Sequence, residues 1–183
     1  MKKFFIITGI ILAVMMVVQP SYAVNAKTFN IVVTVSDFSM KLLHLDGMEY
    51  GDWNITVPPN GAYTMMANDA VMVSLTGDLQ NHVDIFTSVD NADNWIPILP
   101  DMMPLQHNDF MLEVAAMDTV PNEPLAVPGF MPITQDTMAP AKTIPTDGLQ
   151  EAATFLIYKL HIGPDYDNKN ANLNVKVEAS ALQ

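Results

Sequence analysis

"NLNVKVEA", residues 172–179, is the stretch whose reading decides the fold. Leu173, Val175, Val177 and Ala179 alternate with Asn172, Asn174, Lys176 and Glu178. Successive side chains of a strand point to opposite faces, so the pattern sets four apolar residues on one side and four polar ones on the other. A slip of one residue would turn the whole apolar set outward, so the register is well specified. The spacing predicts a β-strand with one buried face.

Upstream, "DGLQEAATFLIYKLHI" (147–162) carries two periods. Leu149, Ala152, Ala153, Leu156 and Leu160 have helical spacing, and Asp147 with Gln150 resembles a capping box. Leu156, Tyr158, Leu160 and Ile162 instead alternate with Phe155, Ile157, Lys159 and His161. The reading adopted is a short helical turn over 148–153 running into a strand over 154–162. That strand and 172–179 are expected to form a closing hairpin.

The same two-residue period recurs through the chain. "FNIVVTVS" (29–36), "MKLLHL" (40–45), "WNITV" (53–57), "AYTMM" (62–66), "AVMVSLT" (70–76), "HVDIFTSV" (82–89) and "FMLEVAAM" (110–117) all read as strands. Asp46-Gly47, Gly51-Asp52, Pro58-Pro59-Asn60-Gly61, Asn68-Asp69 and the run 90–94 punctuate them as turns. Short strands with turns every eight to twelve residues predict an all-β, antiparallel, immunoglobulin-like β-sandwich. From Thr119 to Pro145 the texture changes: six prolines, few charges and no sustained period. Proline lacks a ladder donor, so 119–145 reads as a Pro-rich loop or an insertion strapped over a sheet edge.

The other end of the chain speaks to compartment. Lys2 and Lys3 precede an apolar run from Phe4 to Val18, followed by Pro20 and the small residues Ser21 and Ala23. This is the pattern of a secretory signal peptide over 1–23, cut after Ala23, leaving 24–183 as a single domain without membrane insertion. The chain has no cysteine, which excludes thiol catalysis and disulfide frameworks. All eight basic residues are lysine, and two leave with the leader, so twenty acids face six lysines, a balance of −14. A chain so acidic repels phosphate backbones and anionic lipid surfaces. Its charges are scattered singly, as on a solvated surface.

Taken in order, Asn30 to Val35, Val71 to Gly77, Asp93-Asn94-Trp95, Phe155 to Pro164 and Leu173 to Ala179 are similar to secreted bacterial β-sandwich modules of the immunoglobulin-like and WxL-like kind. The resemblance implies a cell-surface or extracellular-matrix protein, exported from a bacterium, whose partners are itself or other surface proteins. The WxL motif is absent, so peptidoglycan attachment does not carry over.

Three constellations carry candidate chemistry. Asp165, Asp167 and Asn168 lie in an acidic loop. Alternate oxygen ligands would suit calcium, but Lys169 and Ala171 stand at the fifth and seventh positions and no glycine stands at the sixth. The competing reading is a loop rich in Asp and Asn because their side chains bond nearby backbone. Met102, Met103 and His107 in "DMMPLQH" have thioether and imidazole groups suited to copper, against the ordinary use of methionine as a soft core filler. Tyr50 and Trp53 in "MEYGDW" offer faces for stacking a sugar, and Trp95 reads as a core tryptophan. No Gly-x-Ser-x-Gly elbow, His-Glu-x-x-His or phosphate-binding glycine loop is present, so no catalytic residues are assigned. A carboxylate pair for hydrolysis remains the catalytic alternative. The expectation is an exported structural or interaction protein, with a binding module for copper, calcium or carbohydrate as the second reading.

Overall fold

A computed structural model describes residues 38–79, 82–123, 127, 129–135, 140–167 and 171–182. The expected leader, the expected strand 29–36 and Asn168 lie outside the described residues. Ten strands follow in chain order: β1 (Phe38–Leu43), β2 (Ala62–Thr64), β3 (Val71–Leu79), β4 (His82–Asn91), β5 (Ile96–Pro97), β6 (Asp109–Met117), β7 (Met131–Ile133), β8 (Lys142–Pro145), β9 (Leu149–Ile162) and β10 (Asn174–Leu182). Single 3₁₀ turns occupy Ala67–Asp69 and Pro100–Met102.

The strands sort into two sheets. The larger has seven strands in the order β1-β3-β9-β6-β5, with β2 continuing beside β9 and β7 beside β6. The smaller has the order β10-β4-β8. Every pairing is antiparallel except β5 with β6. β9 is the spine of the large sheet. Its 14 residues pair with β3 and then β2 along one edge, and with β6 along the other.

Alternation explains which faces meet. Val71, Val73 and Leu75 of β3 sit beside Leu156, Thr154 and Ala152 of β9, and Phe110, Leu112 and Val114 of β6 beside Ile162, Leu160 and Tyr158. These turn toward Val83, Ile85, Thr87 and Val89 of β4, all buried, and join one hydrophobic core. Apolar burial of this kind contributes about 1.5–3 kcal/mol for each fully covered large side chain. A buried side-chain link crosses between the sheets: the Tyr158 and Thr87 hydroxyls are 3.0 Å apart, with both residues buried. Burial raises the Tyr158 pKa well above that of a free phenol.

The outer face of the large sheet is covered too. Phe155 and Ile157 point away from β4, yet they are 7% and 0% exposed. The proline-rich chain after β6 contributes that cover: Phe130 lies under the Lys159 ammonium, 5.5 Å from its ring centroid, and Val127 and Phe130 pack against the core. Glu123 accepts a 3.0 Å hydrogen bond from the Ala67 amide. Within 119–145, β7 pairs with β6 and β8 with β4, and the Thr134 carbonyl accepts from the Val89 amide across the sheets.

Three sequence expectations need correction. No helical turn forms over 148–153; Asp147 and Gly148 make a turn with φ of 35° and 79°, and the strand starts at Leu149. Leu149, Ala152 and Ala153 pair with Leu79, Leu75 and Ser74, so ladder formation with β3 overrides their helical spacing. Second, 154–162 and 172–179 do not form a hairpin: β10 pairs with β4 in the other sheet, and the intervening loop crosses between layers. Third, 53–57 alternates between half-buried and exposed residues but is in no strand.

The inter-sheet hydroxyl pair gives a direct test. Tyr158→Phe leaves Thr87 without that buried partner and is expected to lower stability by about 1–3 kcal/mol. Adding Thr87→Val to it should recover part of the loss in chemical denaturation. Additive losses would show that the two hydroxyls are not coupled.

Candidate functional site

The densest polar cluster lies where the 163–167 loop meets the segment before β6. Gly163 is its hub. Its carbonyl accepts from the Asn60 amide at 2.9 Å, and its amide donates to the Asp109 carbonyl at 3.0 Å and to the Tyr166 hydroxyl at 2.6 Å. That hydroxyl in turn donates to the Asp109 carbonyl. A Cβ at position 163 would lie 2.5 Å from the Gln106 carbonyl oxygen, so only glycine allows this approach.

Asn108 locks the next residues. Its φ of 62° falls in the left-handed region, which asparagine tolerates better than most residues. Its side-chain amide donates to Asp167 Oδ2 at 2.9 Å, and its side-chain oxygen accepts from the Asp167 amide at 3.0 Å. Its own amide donates to the Asp165 carbonyl, and its carbonyl accepts from Ile96. Trp95 closes the cluster, with ring centroids 4.0 Å from Tyr166 and 6.3 Å from Phe110. It is a half-buried end plate of the large sheet rather than a tryptophan deep between the layers.

His107 stands between the two carboxylates of the loop. Its Nδ1 is 3.6 Å from Asp165 Oδ2, and its Nε2 is 3.1 Å from Asp167 Oδ1. The Asp167 carboxyl is held below the ordinary carboxylate range, first by the Asn108 amide and then by the hydrogen bond and charge of His107. Burial raises the Tyr166 hydroxyl pKa, against the opposing effect of the Gly163 hydrogen bond. In this arrangement the imidazole occupies the place between the two carboxylates that a cation would take.

The structure therefore joins two groups that the sequence offered separately, His107 with Asp165 and Asp167. Met102 and Met103 are exposed on the preceding turn. Among the described residues, no group of three or more His, Asp or Glu side chains is arranged to hold a metal ion. Tyr50 and Trp53 have their own partners. Tyr50 stacks on His44 at 4.4 Å and donates its hydroxyl to the Asp69 carbonyl at 2.9 Å, with burial pushing its pKa up to about 12. Trp53 leans on Tyr63 at 5.8 Å, and both Tyr50 and Trp53 pack against the core.

A second polar cluster lies on the outer face of the large sheet, where Glu113 Oε2 is 2.8 Å from His161 Nε2 and 3.5 Å from Lys159 Nζ. β6 and β9 bring these residues together across adjacent strands, Glu113 opposite Lys159 and Met111 opposite His161. Sequence reasoning singled out neither Glu113 nor Asn108. The usable signal was Glu113 breaking the apolar run of β6, which marks a solvent-reaching face. Two shallow depressions, of 580 and 370 Å³, are lined by residues including His44, Asp46, Glu49 and Asn68, and by Thr64, Met66 and Glu123. Among the described residues no helix is long and apolar enough to cross a membrane. No protein-family model, curated protein or solved structure matches the chain.

Two outcomes test the cluster. Gly163→Ala should destabilise the protein by about 1–3 kcal/mol through overpacking against Gln106, measured by denaturant titration; an unchanged midpoint would show that the loop yields freely. The folded pKa of Asp167 lies below its unfolded one, so its contribution is present above the unfolded value and is lost as pH falls through the folded value. The melting temperatures of wild type and Asp167→Asn should accordingly differ at neutral pH, begin to converge near about pH 4 and meet only once the pH has fallen below the folded value. A constant gap across that range would contradict the assignment.

Proposed function

We propose that the protein is an exported structural or interaction protein of a bacterial cell surface or extracellular matrix, an immunoglobulin-like sandwich displayed for contact with itself or with other surface proteins. The observation that carries this reading is the use made of its polar side chains. His107, Asn108, Asp165, Tyr166 and Asp167 bond to one another and to backbone, tying together segments 59 positions apart in sequence. Glu113, His161 and Lys159 likewise bridge adjacent strands. Groups so engaged stiffen a displayed scaffold.

The leader-like start of the chain, the acidity and the dense strand pattern support the same reading. Solvated single-sign charge keeps a protein soluble and steers it away from anionic surfaces. The two mostly antiparallel sheets belong to the all-β class that such a sandwich requires.

Export is checked by producing the full chain in a bacterium, fractionating the cells and determining the mass and N-terminus of the product. The expected species starts at Val24 and lies outside the cytoplasm. A chain retaining Met1 in the cytoplasm would overturn the reading.

A further inference from the structure

The edges of the two sheets are not equally protected. β1 is folded over by its own continuation, with Leu43 bridged to Glu49 and the Tyr50 amide donating to the Leu42 carbonyl. β5, β7 and β8 have 2, 3 and 4 residues, and each contains a proline. Short length and proline are the usual ways of blunting an edge. β10 has neither: it runs for nine residues without proline, and its one register shift lies at its start, between Asn174 and Val175.

The backbone direction at that edge follows from β4. The Ile85 carbonyl and the Val89 amide bond to Ala141 and Thr134, on the β8 side, so the odd-numbered residues of β4 direct their polar groups there. The even-numbered ones then face β10, pairing Lys176 with Ser88, Glu178 with Phe86 and Ser180 with Asp84. Val175, Val177, Ala179 and Ala181 consequently present their amides and carbonyls away from β4, where they have no partner among the described residues. The side chains of Val175, Val177 and Ala179 point inward but are only partly buried, so the core is thin at this edge.

The sequence of this edge complements itself. Laid antiparallel on a copy of itself and centred on Val177, β10 sets Lys176 opposite Glu178 twice, Val175 opposite Ala179 twice, and Val177 opposite Val177. Lys176 and Glu178 lie on the exposed face, 2.8 Å apart within the strand, and are free to exchange partners across the new ladder. Opposite charges directly across a strand pair are favourable and like charges unfavourable. We propose that β10 is a docking edge for a second copy of this chain, joining two three-stranded sheets into one continuous six-stranded sheet through a two-fold axis at Val177. The inference rests on the strand edge alone, so its failure and the failure of the export reading are separable.

The test is the oligomeric state of the chain, as the cell accumulates it, by sedimentation equilibrium over a range of concentrations. Wild type is expected to dimerise. Lys176→Glu and Glu178→Lys, each of which sets like charges opposite each other twice, should each weaken the dimer by about tenfold or more. The double variant restores opposite charges in reversed order and should dimerise as wild type does. Circular dichroism of all three variants should match wild type, because both side chains are solvent-exposed. A wild type that stays monomeric at millimolar concentration would overturn the proposal. So would a dimer indifferent to the single reversals, or a double variant no tighter than the singles.

Discussion

The constraint on which the rest of the structure depends is the burial of β9 on both faces. From Thr154 to Tyr158 every residue of this strand is at most 7% exposed, although alternate residues point in opposite directions. A strand buried on both sides reads as a continuous apolar run and needs a layer above and another below. The layer below is the small sheet, centred on β4. On the other face the proline-rich chain after β6 contributes cover through Phe130, beneath Lys159, before β7 and β8 join the edges of the two sheets. Both ends of that segment are tied down, by Glu123 to the Ala67 amide and by Thr134 to β4.

The same strand positions the polar cluster. β9 ends at Ile162, and Gly163 then brings the chain against Gln106 and Asp109, close enough that the loop has to turn where it does. From that point the acidic residues fall beside His107 and Asn108 without further choice. The connection to β10 crosses to the second sheet, so this loop is an arch between layers and not a hairpin. An arch cannot be fastened by ladder bonds between its two arms. It is fastened instead by Asn108, Tyr166 and the carboxylates.

What could be read from residues alone follows from the same physics. Strands with one wet face, such as β4 and β10, alternate cleanly and are legible from their period. β9 is not so simple, because its double burial removes the polar residues that would mark a face, and its alanines permit a helical reading until β3 is beside them. Trp53 to Val57 alternates equally well, but no backbone among the described residues offers it a ladder, and period alone cannot report that. The hairpin expectation assumed that consecutive strands pair, a tendency that fails where a loop is anchored to a third element. The meeting of His107 with Asp165 and Asp167 is a tertiary event, set by the Gly163 approach, and no spacing rule reaches it. Asn108 carried only the faint signal of an Asn-Asp turn before a strand.

The fold is organised around one doubly buried strand, with polar side chains holding its loops and a long β10 edge that has no backbone partner among the described residues. Amide hydrogen exchange read residue by residue tests the organising claim most directly. The amides from Thr154 to Leu160 are expected to form the slowest class, exchanging only through global unfolding. Exchange there as fast as in the 163–167 loop would contradict it.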